Sequence, residues 1–214
     1  TGSSSFTLTN GTLQGNRAQS ISTFNLASCA VSTGTMTGVK ITENIAGNLT
    51  DNAGGSTLAS ISGCQYTADD IEVSDNIAED KTAGFFLDNS RVSITNSTFK
   101  NQGSGKSPAY FASTVNSELD LQDSKFYDAA GHLGGAILSN GSRSLTISRS
   151  KLYNNQATQG GSIWIFDTST VTISHSIFSN NKVSDAASDI ITSKVTTLNI
   201  TNNTFQRFGT KGSL

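Results

Sequence analysis

Short stretches in which apolar and polar residues alternate recur along the whole chain. The apolar members stand two positions apart with Thr, Ser, Asn or Asp between them, as in the pairs Phe6 and Leu8, Val92 and Ile94, Leu119 and Leu121, Leu145 and Ile147, Val171 and Ile173, and Leu198 and Ile200. A period of two is typical of a strand that buries one side. No run of ten or more residues shows a convincing helical stripe, so the pattern predicts an all-β protein.

A second apolar position, usually two residues after a Ser, marks a repeat along the chain. These anchor residues are Leu13, Ile41, Val73, Phe99, Phe126, Leu152, Phe178 and Phe205. They are separated by 26 to 32 residues, with a typical spacing of about 27. A fixed interval of this size indicates stacked supersecondary units.

An Asn follows the anchor at a constant offset in five of the copies: Asn16, Asn44, Asn76, Asn155 and Asn181. Three short strands per copy cannot enclose a core alone, whereas stacked copies can, with parallel strands about 4.8 Å apart. The sequence therefore predicts one right-handed parallel β-helix over residues 1–214, with about eight coils and three strands in each. We expect the five Asn side chains to stack at a buried corner and to bond to each other and to unpaired backbone groups.

The repeat is least regular between residues 36 and 87, where the longest anchor interval falls. Long turns on a solenoid project from one side and often form binding surfaces. Neither terminal coil carries an evident cap, and solenoids need polar caps. We therefore expect the chain to be a segment of a longer rod, or a unit that stacks on neighbours.

Composition narrows the classes of function. The net charge of −2 comes without a basic stripe, so no nucleic-acid partner is expected. No segment approaches the ~18 consecutive apolar residues of a membrane span.

Cys29 and Cys64 lie in corresponding regions of neighbouring coils. They are interpreted as a disulfide of a secreted protein, with two buried thiols as the alternative.

Candidate catalytic groups do not form a constellation in the sequence. Glycoside hydrolysis needs two carboxylates about 5 to 9.5 Å apart, which on a β-helix means acids at one outward offset in adjacent coils. The best candidates, Asp69 with Asp70 and Asp120 with Asp123, lack such neighbours. We therefore expect no catalytic site, no cofactor and no metal.

Three further side chains are candidates for surface roles. His132 and His175 are interpreted as turn residues without catalytic partners. Trp164 lies between two Ile residues, so it points outward if they point inward. An exposed contact residue and a side chain packed against a turn remain alternatives.

Six Asn-x-Ser/Thr sequences are candidate N-glycosylation sites, about as many as chance would give. They begin at Asn10, Asn48, Asn96, Asn140, Asn199 and Asn202. The first, third and last share one offset, three residues before the anchor, at an expected outward corner.

Two motifs carry a resemblance to a known family. A Phe-x-x-Asn element at residues 178–181, relaxed at 152–155 and 41–44, alternates with Gly-Gly-Ala-Ile at 134–137, relaxed at 160–163. This combination resembles the repeats of polymorphic outer membrane proteins, which are autotransporter adhesin passengers in the pectate-lyase-like superfamily. The resemblance implies a surface-exposed rod with an adhesive or structural use.

These observations favour a non-catalytic extracellular rod of a surface adhesin or filament-forming protein. Its expected partners are proteins, glycans or further copies of itself, bound through faces or open end coils. A carbohydrate-active β-helix enzyme is one alternative. Ice binding through an outward hydroxyl file is another, with Thr7, Thr35, Ser93, Thr146 and Thr172 among its members.

Overall fold

A computed structural model describes residues 5–18, 22–46, 57–78, 84–104, 110–114, 116–184 and 189–206. Across these ranges the chain forms 27 strands, numbered β1 to β27, and the strands pair in parallel with strands about one repeat away. None of these residues belongs to a helix long and apolar enough to cross a membrane. The predicted all-β parallel solenoid is confirmed.

The first face is a sheet to which each coil contributes one strand of alternating burial. Its strands are β1 (Ser5–Thr9), the second parts of β4 (Ser22–Thr37) and β7 (Thr57–Asp69), β11 (Arg91–Thr95), β15 (Glu118–Gln122), β18 (Ser144–Ser148), β22 (Thr170–Ser174) and β26 (Thr197–Thr201). The apolar pairs recognised in the sequence point inward, because the side chains of a strand alternate between its two sides.

The second face follows a tight turn after the first and holds the anchors. Its strands are β2 (Thr12–Gln14), β5 (Lys40–Thr42), β8 (Glu72–Ser74), β12 (Thr98–Lys100), β16 (Lys125–Tyr127), β19 (Lys151–Tyr153), β23 (Ile177–Ser179) and β27 (Thr204–Gln206). All eight anchors occupy the central position of these strands in chain order, each paired with the next. The repeat unit defined from the sequence is therefore the structural coil.

The coil closes through a short strand and a third face. The short strands are β3 (Arg17–Ala18), β6 (Ile45–Ala46), β9 (Ile77–Ala78), β13 (Gly103–Ser104), β20 (Gln156–Ala157) and β24 (Lys182–Val183). The third face comprises the first parts of β4 and β7, then β10 (Phe85–Asp88), β14 (Phe111–Ser113), β17 (Ile137–Asn140), β21 (Ile163–Phe166) and β25 (Ile190–Ser193). Six coils have a named strand on all three faces together with a short closing strand, fewer than the eight complete coils expected.

The interior is one apolar column running along the rod. Aliphatic side chains fill the later coils, whereas aromatic rings concentrate in the middle ones. There Phe99 and Phe126 stack with ring centroids 4.9 Å apart, and Phe85 and Phe111 stack at 5.5 Å. All four are fully buried, and burying a residue of this size stabilises the fold by about 1.5 to 3 kcal/mol.

The early coils differ from the later ones at the corner between the third and first faces. There β4 and β7 run through the corner as single strands of 16 and 13 residues, with register shifts in their pairing. Later coils break the strand with a turn at the same place. The long turns predicted within residues 36–87 fall largely at 47–56 and 79–83, outside the described residues.

Candidate binding surface

The five predicted corner Asn residues form hydrogen-bonded stacks at the second corner, where all of them except Asn16 are buried. Asn44 Oδ1 accepts the backbone N–H of Asn16 at 3.0 Å, and Asn76 Oδ1 accepts that of Asn44 at the same distance. Asn181 accepts the N–H of Asn155 in the same way. In every member except Asn16, the amide nitrogen also donates to the anchor carbonyl of the preceding coil, as Asn155 Nδ2 does to Phe126 at 3.0 Å. These side chains join successive coils and do not contribute to the outer surface on which a ligand would bind.

The stack is interrupted where Gln102 and Ala129 replace Asn. Gln102 is buried, its Nε2 reaches the Val73 carbonyl at only 3.5 Å, and its Oε1 has no partner. Ala129 has no polar side chain, although its N–H still donates to Asn155 Oδ1 at 3.2 Å. The interruption coincides with the aromatic part of the core.

A second buried stack, not foreseen as such from the sequence, occupies the first corner. Ser97, Ser124, Ser150 and Ser176 each accept the N–H of the residue at the equivalent position one coil earlier and donate to the carbonyl two residues before themselves. Asn203 continues the stack by accepting the N–H of Ser176 at 2.8 Å. The signal was in the sequence, because each Ser precedes an anchor by two residues.

Three candidate glycosylation sites share an outward corner in the left-handed backbone region. Asn10, Asn96 and Asn202 have φ near +50° and are exposed, a conformation that Asn tolerates better than most residues. Asn140 and Asn199 are also exposed. Asn48 lies outside the described residues, and modification of all six stays a prediction.

Three of the four candidate carboxylates accept hydrogen bonds from neighbouring side chains. Hydrogen bonds from Thr95 at 2.6 Å and Asn96 at 2.9 Å lower the pKa of Asp69. Two bonds from Arg149, at 2.7 and 2.8 Å, lower the pKa of Asp123. Asp120 accepts from Gln122 within its own strand at 2.9 Å. A carboxyl with a lowered pKa is a poor general acid near neutral pH.

Both histidines are exposed and bond to residues one coil away. His132 Nδ1 lies 3.0 Å from Thr158 Oγ1, and His175 Nε2 lies 3.2 Å from Asn202 Nδ2. His175 occupies the same left-handed corner as Asp123 and Arg149, as the repeat predicts. Within the described part of the chain, no group of three or more His, Cys, Asp or Glu could hold a metal ion.

The two cysteines lie on neighbouring, paired strands at the corner where β4 and β7 are continuous. Cys64 is buried. The side chain of Cys29 is outside the described residues, so the bond between the two sulfur atoms stays a prediction. Backbone pairing of Ser28 with Ser62 and of Ser32 with Cys64 places the two positions in adjacent coils.

The first face presents the predicted file of hydroxyl groups along the rod axis. In register it reads Thr7, Thr35, Thr67, Ser93, Asp120, Thr146, Thr172 and Asn199. The hydroxyls of Thr35 and Thr67 lie 3.5 Å apart. Asp120 and Asn199 interrupt the file.

The second face is the most varied and carries charge beside aromatic rings. Lys100 Nζ contacts Glu72 at 2.7 Å, and Lys40 Nζ contacts the same carboxylate at 3.5 Å. The bond from Lys100 lowers the pKa of Glu72. A groove of about 310 Å³ opens beside these three side chains and is also lined by Asp70 and Asn96. In the next coils the face carries two lysines and two stacked tyrosines.

The third face is apolar on its outer side. Phe86, Leu138, Trp164 and Ile191 point outward in one half-buried file. Trp164 stacks on Phe166 with centroids 5.6 Å apart, and Lys194 Nζ lies 5.0 Å from the Phe166 centroid. Both neighbours of Trp164 in its strand are fully buried, so the indole is an outward residue packed on another ring.

The geometry defines a class of protein: a parallel β-helix in which buried polar corners join the coils and straight files of side chains cover the outside. The sequence agrees, since residues 60–213 match the family model described as right handed beta helix region. The chain belongs to this family of right-handed β-helices. Searches of curated proteins and of solved structures gave no match.

Proposed function

We propose that this chain forms part of an extracellular, non-catalytic rod that binds its partners through its outward faces, as a surface adhesin or a structural repeat protein. The observation that supports the proposal most is the register of the outward side chains. Successive coils place equivalent residues directly above one another, about 4.8 Å apart. A surface of this kind offers a long, flat array to a polymer, a membrane-bound protein or another rod.

Self-association is the second part of the proposal. Leu198, Ile200 and Phe205 continue the inward files of the preceding coils and are 44%, 41% and 51% exposed. A further parallel coil, supplied by more of the same chain or by another copy, would cover them and pair the edges of β26 and β27. Negative-stain microscopy is expected to show rods that lengthen as the protein concentration rises. Rods of uniform length at all concentrations would contradict self-association.

The adhesive role is tested by retention on immobilised extracellular polysaccharides and proteins. The same samples are assayed for released oligosaccharides by mass spectrometry. We expect retention without release. Release of shortened or unsaturated sugars would replace the proposal with the carbohydrate-active enzyme class, and absence of retention on every surface would leave the adhesive role without support.

Ice binding is a second candidate, favoured by the hydroxyl file of the first face. Regularly spaced hydroxyl groups on a rigid sheet can match a crystal lattice, although Thr is also a common outward strand residue. Thermal hysteresis in the purified protein, lost on Thr146→Lys and Thr172→Lys substitution, would support this candidate. Freezing behaviour equal to that of an inert protein would remove it.

A further inference from the structure

Two lysines face each other on the second face. Lys125 and Lys151 are direct register partners in β16 and β19, and both side chains are exposed. Like charges directly opposite each other destabilise a sheet. Their neighbours in the same file are Thr98 and Ile177, which carry no charge. The nearest acid in the file, Glu72, lies beyond Thr98 and is already paired with two other lysines.

Elsewhere neighbouring coils place opposite charges together. Lys40 and Lys100 flank Glu72, Arg91 and Arg143 flank Glu118, and Arg149 meets Asp123. Among the described residues, neither Lys125 nor Lys151 takes part in an ion pair. Their ammonium groups are thus available to an anion from outside the rod.

A pair of tyrosines lies beside the lysines on the same strands. Tyr127 and Tyr153 are stacked with centroids 4.6 Å apart and planes 7° apart. Each ring covers one face of the other, and both residues are half-buried on the outer side of the sheet. A tyrosine phenol is protonated at neutral pH, so both hydroxyl groups can donate a hydrogen bond.

The four side chains form a compact patch. The lysine and tyrosine of each strand are two residues apart on its outer side, or roughly 6.6 Å, and the coils repeat at about 4.8 Å. Lys100 extends the tyrosine file into the preceding coil. Ammonium groups bind carboxylate or sulfate, and phenol hydroxyls bind sugar hydroxyls.

We propose that Lys125, Lys151, Tyr127 and Tyr153 form a binding site for an acidic oligosaccharide that lies across these coils, with its anionic groups on the lysines and its hydroxyls on the tyrosines. The inference rests on the proposed function, since it names a partner for one outward face. Single-stranded nucleic acid fits less well, because successive bases need successive open ring faces and the stack leaves at most one face of each tyrosine open. The net charge of −2 also provides no wider attraction for a polynucleotide.

Isothermal titration calorimetry on the whole chain tests the site. The probes are hexamannuronate, its neutral counterpart mannohexaose, a sulfated heparin-derived hexasaccharide and oligothymidylate. We expect one or both acidic sugars to bind, mannohexaose to bind at least tenfold more weakly, and added salt to weaken binding by screening. Comparison of the two acidic probes distinguishes carboxylate from sulfate as the preferred group.

Variants locate the site. The double substitution Lys125→Gln and Lys151→Gln should weaken binding at least tenfold without lowering the thermal midpoint, because it removes a repulsion. Tyr127→Phe with Tyr153→Phe keeps the ring stack and should weaken binding a few-fold. Lys182→Gln, at an exposed position of β24, is the matched control and should bind as the unmodified chain does.

Several outcomes would overturn the inference. These are unchanged binding in the double lysine variant, equal binding of mannohexaose, equal binding of oligothymidylate, and no binding of either acidic sugar. Retention on other surfaces in the last case would leave the proposed adhesive function standing and remove only this site. If neither acidic sugar binds and the chain is retained on no surface, both this site and the proposed adhesive function are removed.

Discussion

The two buried polar corners of the rod perform the same task with different side chains. The serine corner continues without a break from Ser97 to Ser176, whereas the asparagine corner is interrupted at Gln102 and Ala129. A serine hydroxyl needs only the N–H of the coil before it and a carbonyl of its own coil. An asparagine amide must also reach the anchor carbonyl of the preceding coil, so its stack depends on side-chain length. The corner with the more demanding geometry is the one that is broken.

Removing an amide from the asparagine corner should have the largest effect. Asn155→Ala deletes the acceptor for the N–H of Ala129 and the donor to the carbonyl of Phe126, both buried. We expect a loss of about 3 kcal/mol in the free energy of unfolding, since each unsatisfied buried group costs about 1 to 3 kcal/mol. Urea denaturation measures it, with the exposed Gln156→Ala as control. Equal losses in the two variants would show that the stack contributes nothing specific.

Removing a hydroxyl from the serine corner should cost less. Ser124→Ala deletes the acceptor for the N–H of Ser97 and the donor to the carbonyl of Gln122. The same carbonyl also accepts the N–H of Asn96, so one group is left wholly unpaired and the expected loss is about 1.5 kcal/mol. Ser93→Ala on the outer side of β11 is the control in the same denaturation experiment. A loss larger than that of Asn155→Ala would reverse the ranking of the corners.

Repairing the asparagine corner should stabilise the rod. Gln102→Asn shortens the side chain so that its oxygen can accept the N–H of Asn76, as Asn76 itself does for Asn44. It also removes the unpaired Oε1. The expected gain is about 1 kcal/mol, seen as a higher thermal midpoint, with Gln156→Asn as the surface control. A decrease would mean that the aromatic core at this level requires the longer side chain.

Breaking an exposed ion pair should have the smallest effect. Asp123→Asn removes the pairing with Arg149 on the outer corner, where both groups are in water and screened. We expect no measurable change in the thermal midpoint at neutral pH. The pKa of Asp123 is lowered by Arg149, so any stabilisation exists above the ordinary pKa of the carboxyl and is lost as pH falls through its lowered value. A pH titration of the midpoint should therefore give coincident curves for the two chains, and a gap at neutral pH that closes in acid would show that the pair does stabilise the rod.

The sequence predicted the coil and the asparagine corner because both repeat with the period of the chain. The anchors and Asn155 stand at constant offsets, and constant offsets become vertical stacks in a solenoid. The patch around Lys125 and Tyr127 was not predicted, because it exists only where two coils happen to carry the same outward residues. Nor were the continuous strands β4 and β7, since their irregular pairing leaves no period to detect.

Because the later coils bond to one another through the same backbone positions, this part of the rod should tolerate changes in the number of its coils better than changes within them. Anchors Phe126, Leu152 and Phe178 are separated by equal intervals, so recombination that deletes or duplicates one interval in the gene would preserve the pairing on both sides of the junction. Such events would change the length of the protein in increments of about 4.8 Å. Length is therefore a heritable quantity that this architecture can vary without redesigning its interior.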